Sequence, residues 1–190
     1  MQQNKESLKE ILDYYFFEIK EKGIEVKKKE ATPKKILSSD YDEVVIATGA
    51  IPAVPPIKGL KKYYWAEFLK EENMPENQNI IVVGGGLIGI EISSKLIDKG
   101  NKIKIVEMKD NIAEGMEMIE KKFTLNKLEK NNTKIFTQHK VSEILKDKDV
   151  IIEDNKHDQT VLKNIDKIII ATGMKSVNEL KEDLGSCCPT

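Results

Sequence analysis

The residues best suited to chemistry in this sequence are three glycines at fixed spacing, Gly84, Gly86 and Gly89, with a carboxylate, Glu107, further on. The glycines end the apolar run Ile80-Ile81-Val82-Val83 and open a helical stretch. A strand, a G-x-G-x-x-G turn and a helix in that order form a cradle for a dinucleotide pyrophosphate. Gly84 permits a tight turn off the strand. Gly86 lets the backbone approach the phosphates with no Cβ between, and Gly89 lets the helix pack close to the strand. Gly85, Leu87 and Ile88 complete the turn, and Leu87 and Ile88 offer free backbone N–H groups at the positive end of the helix.

The glycine pattern carries little weight alone, so the rest of a βαβ unit must follow at the right distance. Leu87, Ile88, Ile90, Ile92, Leu96 and Ile97 give the helix an apolar face, and Gly100-Asn101 is a stop signal. A second strand, residues 102–106, then ends in Glu107, about 20 residues beyond the glycines, as the fingerprint requires. A carboxylate at that strand tip accepts hydrogen bonds from the adenosine ribose hydroxyls and repels a 2′-phosphate. The expected coenzyme is therefore NADH and not NADPH. All 31 basic residues are lysine, so the bidentate arginine clamp of a 2′-phosphate site is absent. Lys109, as a point charge, is the alternative cation. A Rossmann-like layer with an unused nucleotide site is the competing reading, but it leaves three costly glycines unexplained.

Those elements need a scaffold, and the composition allows one. With 190 residues, 39% hydrophobic and 33% charged, the chain can bury one sizeable core. A net charge of −1 and a pI near 6.2 give no sign of a nucleic-acid or membrane-surface partner. No stretch reaches the roughly 20 apolar residues of a membrane span, and the polar start is no signal peptide, so cytoplasmic residence is expected. Cys187 and Cys188 are vicinal and outside any C-x-x-C motif, and with His139 and His157 they make no metal-ligand spacing. Both histidines read as surface residues at strand ends or turns. No catalytic side chain and no metal site is expected in this chain.

Apolar residues at helical spacing over 7–22 predict an amphipathic helix ended by Gly23. Short strands are expected at 24–27, 34–37 and 42–47, then a proline-rich crossover at 51–59. A short helix is expected at 64–71. Beyond Glu107 come a loop over 108–114, a helix at 116–130, and short β-runs at 134–137, 141–145, 150–153 and 161–162. These suit an antiparallel meander covering one side of the sheet. Residues 166–171 form a buried strand. The segments 42–49 and 166–173 share one design, an acidic start, an apolar strand and a terminal Ala-Thr-Gly. Two such strands flanking one nucleotide unit imply one domain inserted into another.

These residues resemble the two-dinucleotide-binding flavoprotein reductases of the pyridine nucleotide-disulfide oxidoreductase superfamily. The markers are Ala47-Thr48-Gly49 with its proline-rich exit, the Gly84 to Glu91 turn, and Ala171-Thr172-Gly173. Within that superfamily, residues 41–59 and Asn178-Glu179-Leu180 look most like the C-terminal part of NADH:flavin oxidoreductases such as 2,4-dienoyl-CoA reductase, 2-enoate reductase and trimethylamine dehydrogenase. The resemblance implies an α/β, Rossmann-like three-layer NAD(P)/FAD-binding fold, a parallel sheet with a β-meander crossover. It implies a partial FAD-binding domain at 1–52, an inserted NAD-binding domain at 53–173 and an FAD-domain return segment at 174–190. A second G-x-G-x-x-G for FAD and the Gly-Asp segment that touches the flavin are absent from this sequence.

For a full-length parent the resemblance implies the activity of an NADH oxidase or an enoate or dienoyl-CoA reductase, with no turnover expected of this chain alone. This chain would hold NADH against FAD bound by the remainder of its domain, with room for FMN and an iron–sulfur cluster in further domains. Glu91 resembles a glutamate near the nicotinamide end, or is a first-turn carboxylate favoured by the helix dipole. Gly173 lets the cofactor pass the strand tip, while Thr48 and Thr172 make turn hydrogen bonds. The alternative class is a non-catalytic nucleotide-responsive or protein-association module. Exposed apolar surface on the FAD-domain segments would then drive self-association.

Overall fold

The computed structural model describes residues 7–60, 73–146 and 148–187. The helix expected at 64–71 and Cys188 lie outside them. The chain divides into two units, Thr48–Val177 on the one hand and Met1–Ala47 with Asn178–Thr190 on the other. In chain order the elements begin with α1 (Ser7–Glu21), α2 (Pro33–Leu37), β1 (Ala50–Pro52), β2 (Asn79–Val83), α3 (Leu87–Asp98), β3 (Lys102–Val106) and α4 (Met118–Lys130). There follow β4 (Lys134–Phe136), β5 (His139–Ile144), β6 (Val150–Asp154), β7 (Gln159–Leu162), β8 (Lys167–Ile170), β9 (Met174–Ser176) and α5 (Glu179–Cys187).

The larger unit is built on a parallel sheet of order β4-β3-β2-β8. β2 and β8 are apolar without alternation because both faces of the sheet are covered, as parallel sheets require, whereas in β3 Lys102 and Lys104 alternate with isoleucine. Ile80, Val82, Ile103, Ile105 and Ile169 face one core with Ile90, Leu96 and Ile97 of α3 and Leu128 of α4. Ile81, Val83, Val106, Ile168 and Ile170 face a second core with Val141, Val150, Ile152 and Leu162 of the antiparallel sheet β5-β6-β7. That is the expected meander on one side of the sheet, and the three layers are helices, parallel sheet and meander.

Polar side chains set how the layers join. Buried Asn101 donates to the carbonyls of Pro75 at 2.6 Å and Leu96 at 2.8 Å and accepts from the Gln78 N–H at 2.9 Å. It thereby ties the end of α3, where Gly100 turns at φ +74°, to the chain entering β2. Asp166 accepts from the Asn79 N–H at 3.0 Å and pairs with Lys148 at 3.1 Å, which joins the starts of β2 and β8. The Asn79 hydrogen bond and then Lys148 hold its carboxyl below the usual aspartate range.

The two Ala-Thr-Gly segments meet in a small ribbon. β1 pairs antiparallel with β9, Ala50 opposite Ser176 and Pro52 opposite Met174. The Thr48 hydroxyl donates to the Val177 carbonyl at 2.6 Å, and the Thr172 hydroxyl donates to the Ala53 carbonyl at 2.7 Å. Val177 N–H donates to the Gly49 carbonyl and Ala53 N–H to the Gly173 carbonyl, each at 3.0 Å. The sequence echo is therefore a structural one, with equivalent bonds in both halves.

The smaller unit corrects three expectations. Residues 34–37 are helical, not extended: Pro33 stands at the first helical position, and the Ile36 N–H returns to the Thr32 carbonyl at 3.1 Å. Residues 24–27 form no strand, with Ile24 55% and Val26 61% exposed. Residues 42–47 are also irregular, and Val45 is 90% exposed. A strand exists only when a neighbour shares its ladder, and among the described residues these segments have none. The apolar stripe of α1 is equally uncovered, Phe16 being 70% exposed.

Candidate functional site

The site lies at the C-terminal edge of the parallel sheet, where β2 passes through the glycine turn into α3. Two backbone bonds fix that edge: the Gly84 N–H donates to the Val106 carbonyl at 2.8 Å and the Ala171 N–H to the Val83 carbonyl at 2.7 Å. The tips of β2, β3 and β8 thus converge, as ligand sites of open α/β sheets require.

The glycines are not equivalent. Gly84 adopts φ +106°, and a Cβ there would overlap the Ala171 carbonyl oxygen. A Cβ at Gly89 would overlap the Gly84 carbonyl oxygen, so this position is what lets α3 lie against the turn. At Gly85 it would stand 2.6 Å from the Ile112 side chain. Gly86 differs from all three. Its backbone is extended (φ −73°, ψ −171°), a conformation open to any residue, and a Cβ there would meet nothing within 4 Å. Among the described residues no contact asks for glycine at this position.

Gly86 is also the N-cap of α3 and offers no side chain to the first turn. The Ile90 N–H returns to the Gly86 carbonyl at 3.0 Å, which leaves the N–H groups of Leu87, Ile88 and Gly89 ahead of the helical ladder. Open space beside Gly86, free donors and the positive end of a twelve-residue helix form an anion cradle. The donor set fits a pyrophosphate.

Glu107 follows β3, and its carboxylate is already oriented. One oxygen accepts from the Gly85 N–H at 2.6 Å, and the other accepts from the Lys109 N–H at 2.9 Å. The glycine turn and the Glu107 carboxylate are thus one hydrogen-bonded piece. Glu107 is half-buried, with oxygens that keep further lone pairs for ligand hydroxyls.

The loop after Glu107 supports the turn, a role that sequence reading missed. Ala113 is buried, sits at φ 55°, and donates its N–H to the Gly85 carbonyl at 2.7 Å. The only available sign was small, turn-prone Ala113-Glu114-Gly115 between apolar Ile112 and Met116. Lys109, the alternative cation, pairs through Nζ with Glu114 at 2.5 Å. That hydrogen bond and charge, with a further contribution from Glu107, hold its ammonium above the usual lysine range.

Of the expected site residues, Gly84 to Gly89 and Glu107 come together. Gly173, at φ +96°, follows the Ala171-Thr172 backbone that abuts Gly84. Glu91 is exposed on α3, beyond the free donors. His139 opens β5, its backbone N–H donating to the Glu107 carbonyl at 3.0 Å and its ring edge against Phe136, and His157 lies in a turn bonded to Glu153 at 2.6 Å. Among the described residues no cluster of His, Cys, Asp and Glu could hold a metal, and no helix is long and apolar enough to cross a membrane.

The family model for pyridine nucleotide-disulphide oxidoreductases matches residues 2–189. The chain belongs to that family. The NADH oxidase of Thermoanaerobacter brockii is 32% identical to this oxidoreductase module over 190 residues, which take in 95% of this chain and 29% of that protein. The bilirubin reductase of Mediterraneibacter gnavus is 27% identical over 90% of this chain and 27% of its own length. Among solved structures, 2-naphthoyl-CoA reductase in complex with 2-naphthoyl-CoA is similar with a TM-score of 0.68 at 25% identity, over 91% of this chain and 26% of that one. The Rossmann-like α/β architecture is shared with that structure. The chain spans less than a third of the length of each of these three relatives.

Proposed function

We propose that this chain is the NADH-binding module of a flavin-dependent oxidoreductase, and that it orients NADH for hydride transfer to FAD held by the rest of a longer protein. The observation that carries the reading is Gly86. No contact among the described residues calls for a glycine there, and it borders the free N–H groups of a helix start. A pyrophosphate supplies the missing reason.

The reading assigns these roles. The N–H groups of Leu87 and Ile88 receive the phosphates beside Gly86. The Glu107 carboxylate, aimed by Gly85 and Lys109, accepts from the adenosine ribose hydroxyls. Gly173 leaves the strand tip bare for the nicotinamide half to pass, and Glu91, exposed on α3, is assigned to that end. Bound NADH would supply a hydride from its nicotinamide ring, and the protein supplies binding and orientation. Residues 53–173 act as the inserted NAD-binding domain, with 1–52 and 174–190 as parts of the FAD-binding domain. The names of the relatives, an NADH oxidase and two reductases, support a parent of the enoate or dienoyl-CoA reductase type.

Glu107→Ala is expected to weaken NADH binding by about 1–2 kcal/mol, the scale of hydrogen bonds to a charged group. Titration calorimetry on the 190-residue chain measures it, and an unchanged affinity removes Glu107 from the site. One observation favours the association module instead, the uncovered apolar stripe of α1 with Phe16 70% exposed. Protein that self-associates and ignores NADH altogether would support that reading over this one.

A further inference from the structure

Resting on the assignment of Glu107 to the adenosine ribose, we propose that Glu114 is a second specificity-determining residue. By holding Lys109 in an ion pair, it withholds from a 2′-phosphate the cation that stands beside the ribose carboxylate.

The placement is built by the loop after β3. The Lys109 backbone is held at both ends, its N–H donating to the Glu107 carboxylate at 2.9 Å and its carbonyl accepting from the Gln138 N–H at 3.0 Å. The neighbouring Asp110 carboxylate accepts from the Gln138 side chain at 2.7 Å. On the far side, buried Ala113 is pinned to the Gly85 carbonyl at 2.7 Å. Both ends of the loop are therefore fixed to the nucleotide turn, and Glu114 follows directly on the pinned residue. Across that span Lys109 Nζ meets a Glu114 oxygen at 2.5 Å.

The charge count decides the consequence. Glu107, Lys109 and Glu114 together carry one negative charge, whereas Glu107 and Lys109 beside a neutral residue 114 would carry none. A lysine is a competent phosphate counter-ion as a point charge. In a chain that has no arginine, Lys109 is the residue from which a 2′-phosphate site could be made here, and Glu114 keeps it engaged. Exclusion of NADPH then depends on two carboxylates, one repelling the 2′-phosphate and one occupying its counter-ion. Both Lys109 and Glu114 are well exposed, 68% and 48% at the side chain, so the effect is modest and salt-dependent.

The test is titration of the 190-residue chain with NADPH and, separately, NADH at low ionic strength, followed by amide shifts up to millimolar nucleotide. The variants are Glu114→Gln alone and Glu114→Gln combined with Lys109→Ala. Glu114→Gln is expected to tighten NADPH binding by about two- to fivefold, the range of exposed ion pairs, while NADH binding stays as it was. The second substitution abolishes the gain, and so does salt at about 0.5 M, where charges are screened within a few ångströms. If the wild-type chain binds NADH but Glu114→Gln leaves NADPH unchanged, or if the gain survives Lys109→Ala, the role of Glu114 is overturned and the nucleotide site stands. If the wild-type chain binds neither nucleotide, the ribose assignment falls and takes this inference with it.

Discussion

Gly89→Ala is expected to cost the larger unit about 3 kcal/mol or more, at the upper end of what forced overpacking does. Alanine in a helix is ordinarily worth about 1 kcal/mol over glycine, so propensity argues for the opposite sign. Packing wins because the added Cβ overlaps the Gly84 carbonyl oxygen and stands 2.9 Å from its carbon. That backbone cannot retreat: the Gly84 N–H is bonded to Val106, and its Cα faces the Ala171 carbonyl. Relief requires α3 to lift off β2, which opens the core that holds Ile90 and Leu96. Urea denaturation followed by circular dichroism measures the loss. A midpoint equal to that of the wild type would show that α3 does not lie against the turn in this way.

The same substitution three residues earlier is expected to do the reverse. Gly86→Ala places its Cβ in open space on an extended backbone, so stability should stay within about 0.5 kcal/mol of the wild type. NADH binding should fall by about tenfold or more, since a methyl group then occupies the surface on which the pyrophosphate lies. Calorimetric titration alongside the urea curve separates the two effects. Undiminished affinity would mean that the phosphates pass elsewhere, and Gly86 would lose its explanation. The pair of variants distinguishes a glycine that the protein needs from one that the ligand needs.

The β2-α3-β3 unit was legible because its signals are local. The apolar run of β2, the glycine spacing and Gly100 at the end of α3 each act within a few residues. β3 spans Lys102–Val106, as read. The meander was legible for the same reason, its short apolar runs being separated by polar turns. The Ala-Thr-Gly echo was legible as sequence but not as structure. Residues 166–171 and 42–47 have nearly the same pattern, yet only the first is a strand, because β2 stands beside it. Strand formation follows from what lies across the ladder as much as from the residues themselves.

Helix α2 was missed for a related reason. Lys34 to Leu37 reads as a short alternating run, but the Thr32-Pro33 start favours a helical turn. The support around Glu107 was beyond sequence reading altogether. Ala113 bonds Gly85, and Gln138 bonds Lys109, through backbone groups that any residue carries, so beyond the turn-prone Ala113-Glu114-Gly115 the residue types give no sign of those two bonds. Asn101 is similar: it was read as part of a stop signal, whereas its side chain fastens α3 to the entry of β2.

The most direct test of the nucleotide assignment is an NMR titration of isotope-labelled 190-residue chain with NADH and, separately, NADPH, following the amides of Gly84 to Glu91 and of Glu107. Saturable shifts confined to those amides for NADH, with a weaker response to NADPH, are the predicted result. Amides that stay still for both nucleotides would contradict it, and would leave the glycine turn as a packing device within an association module.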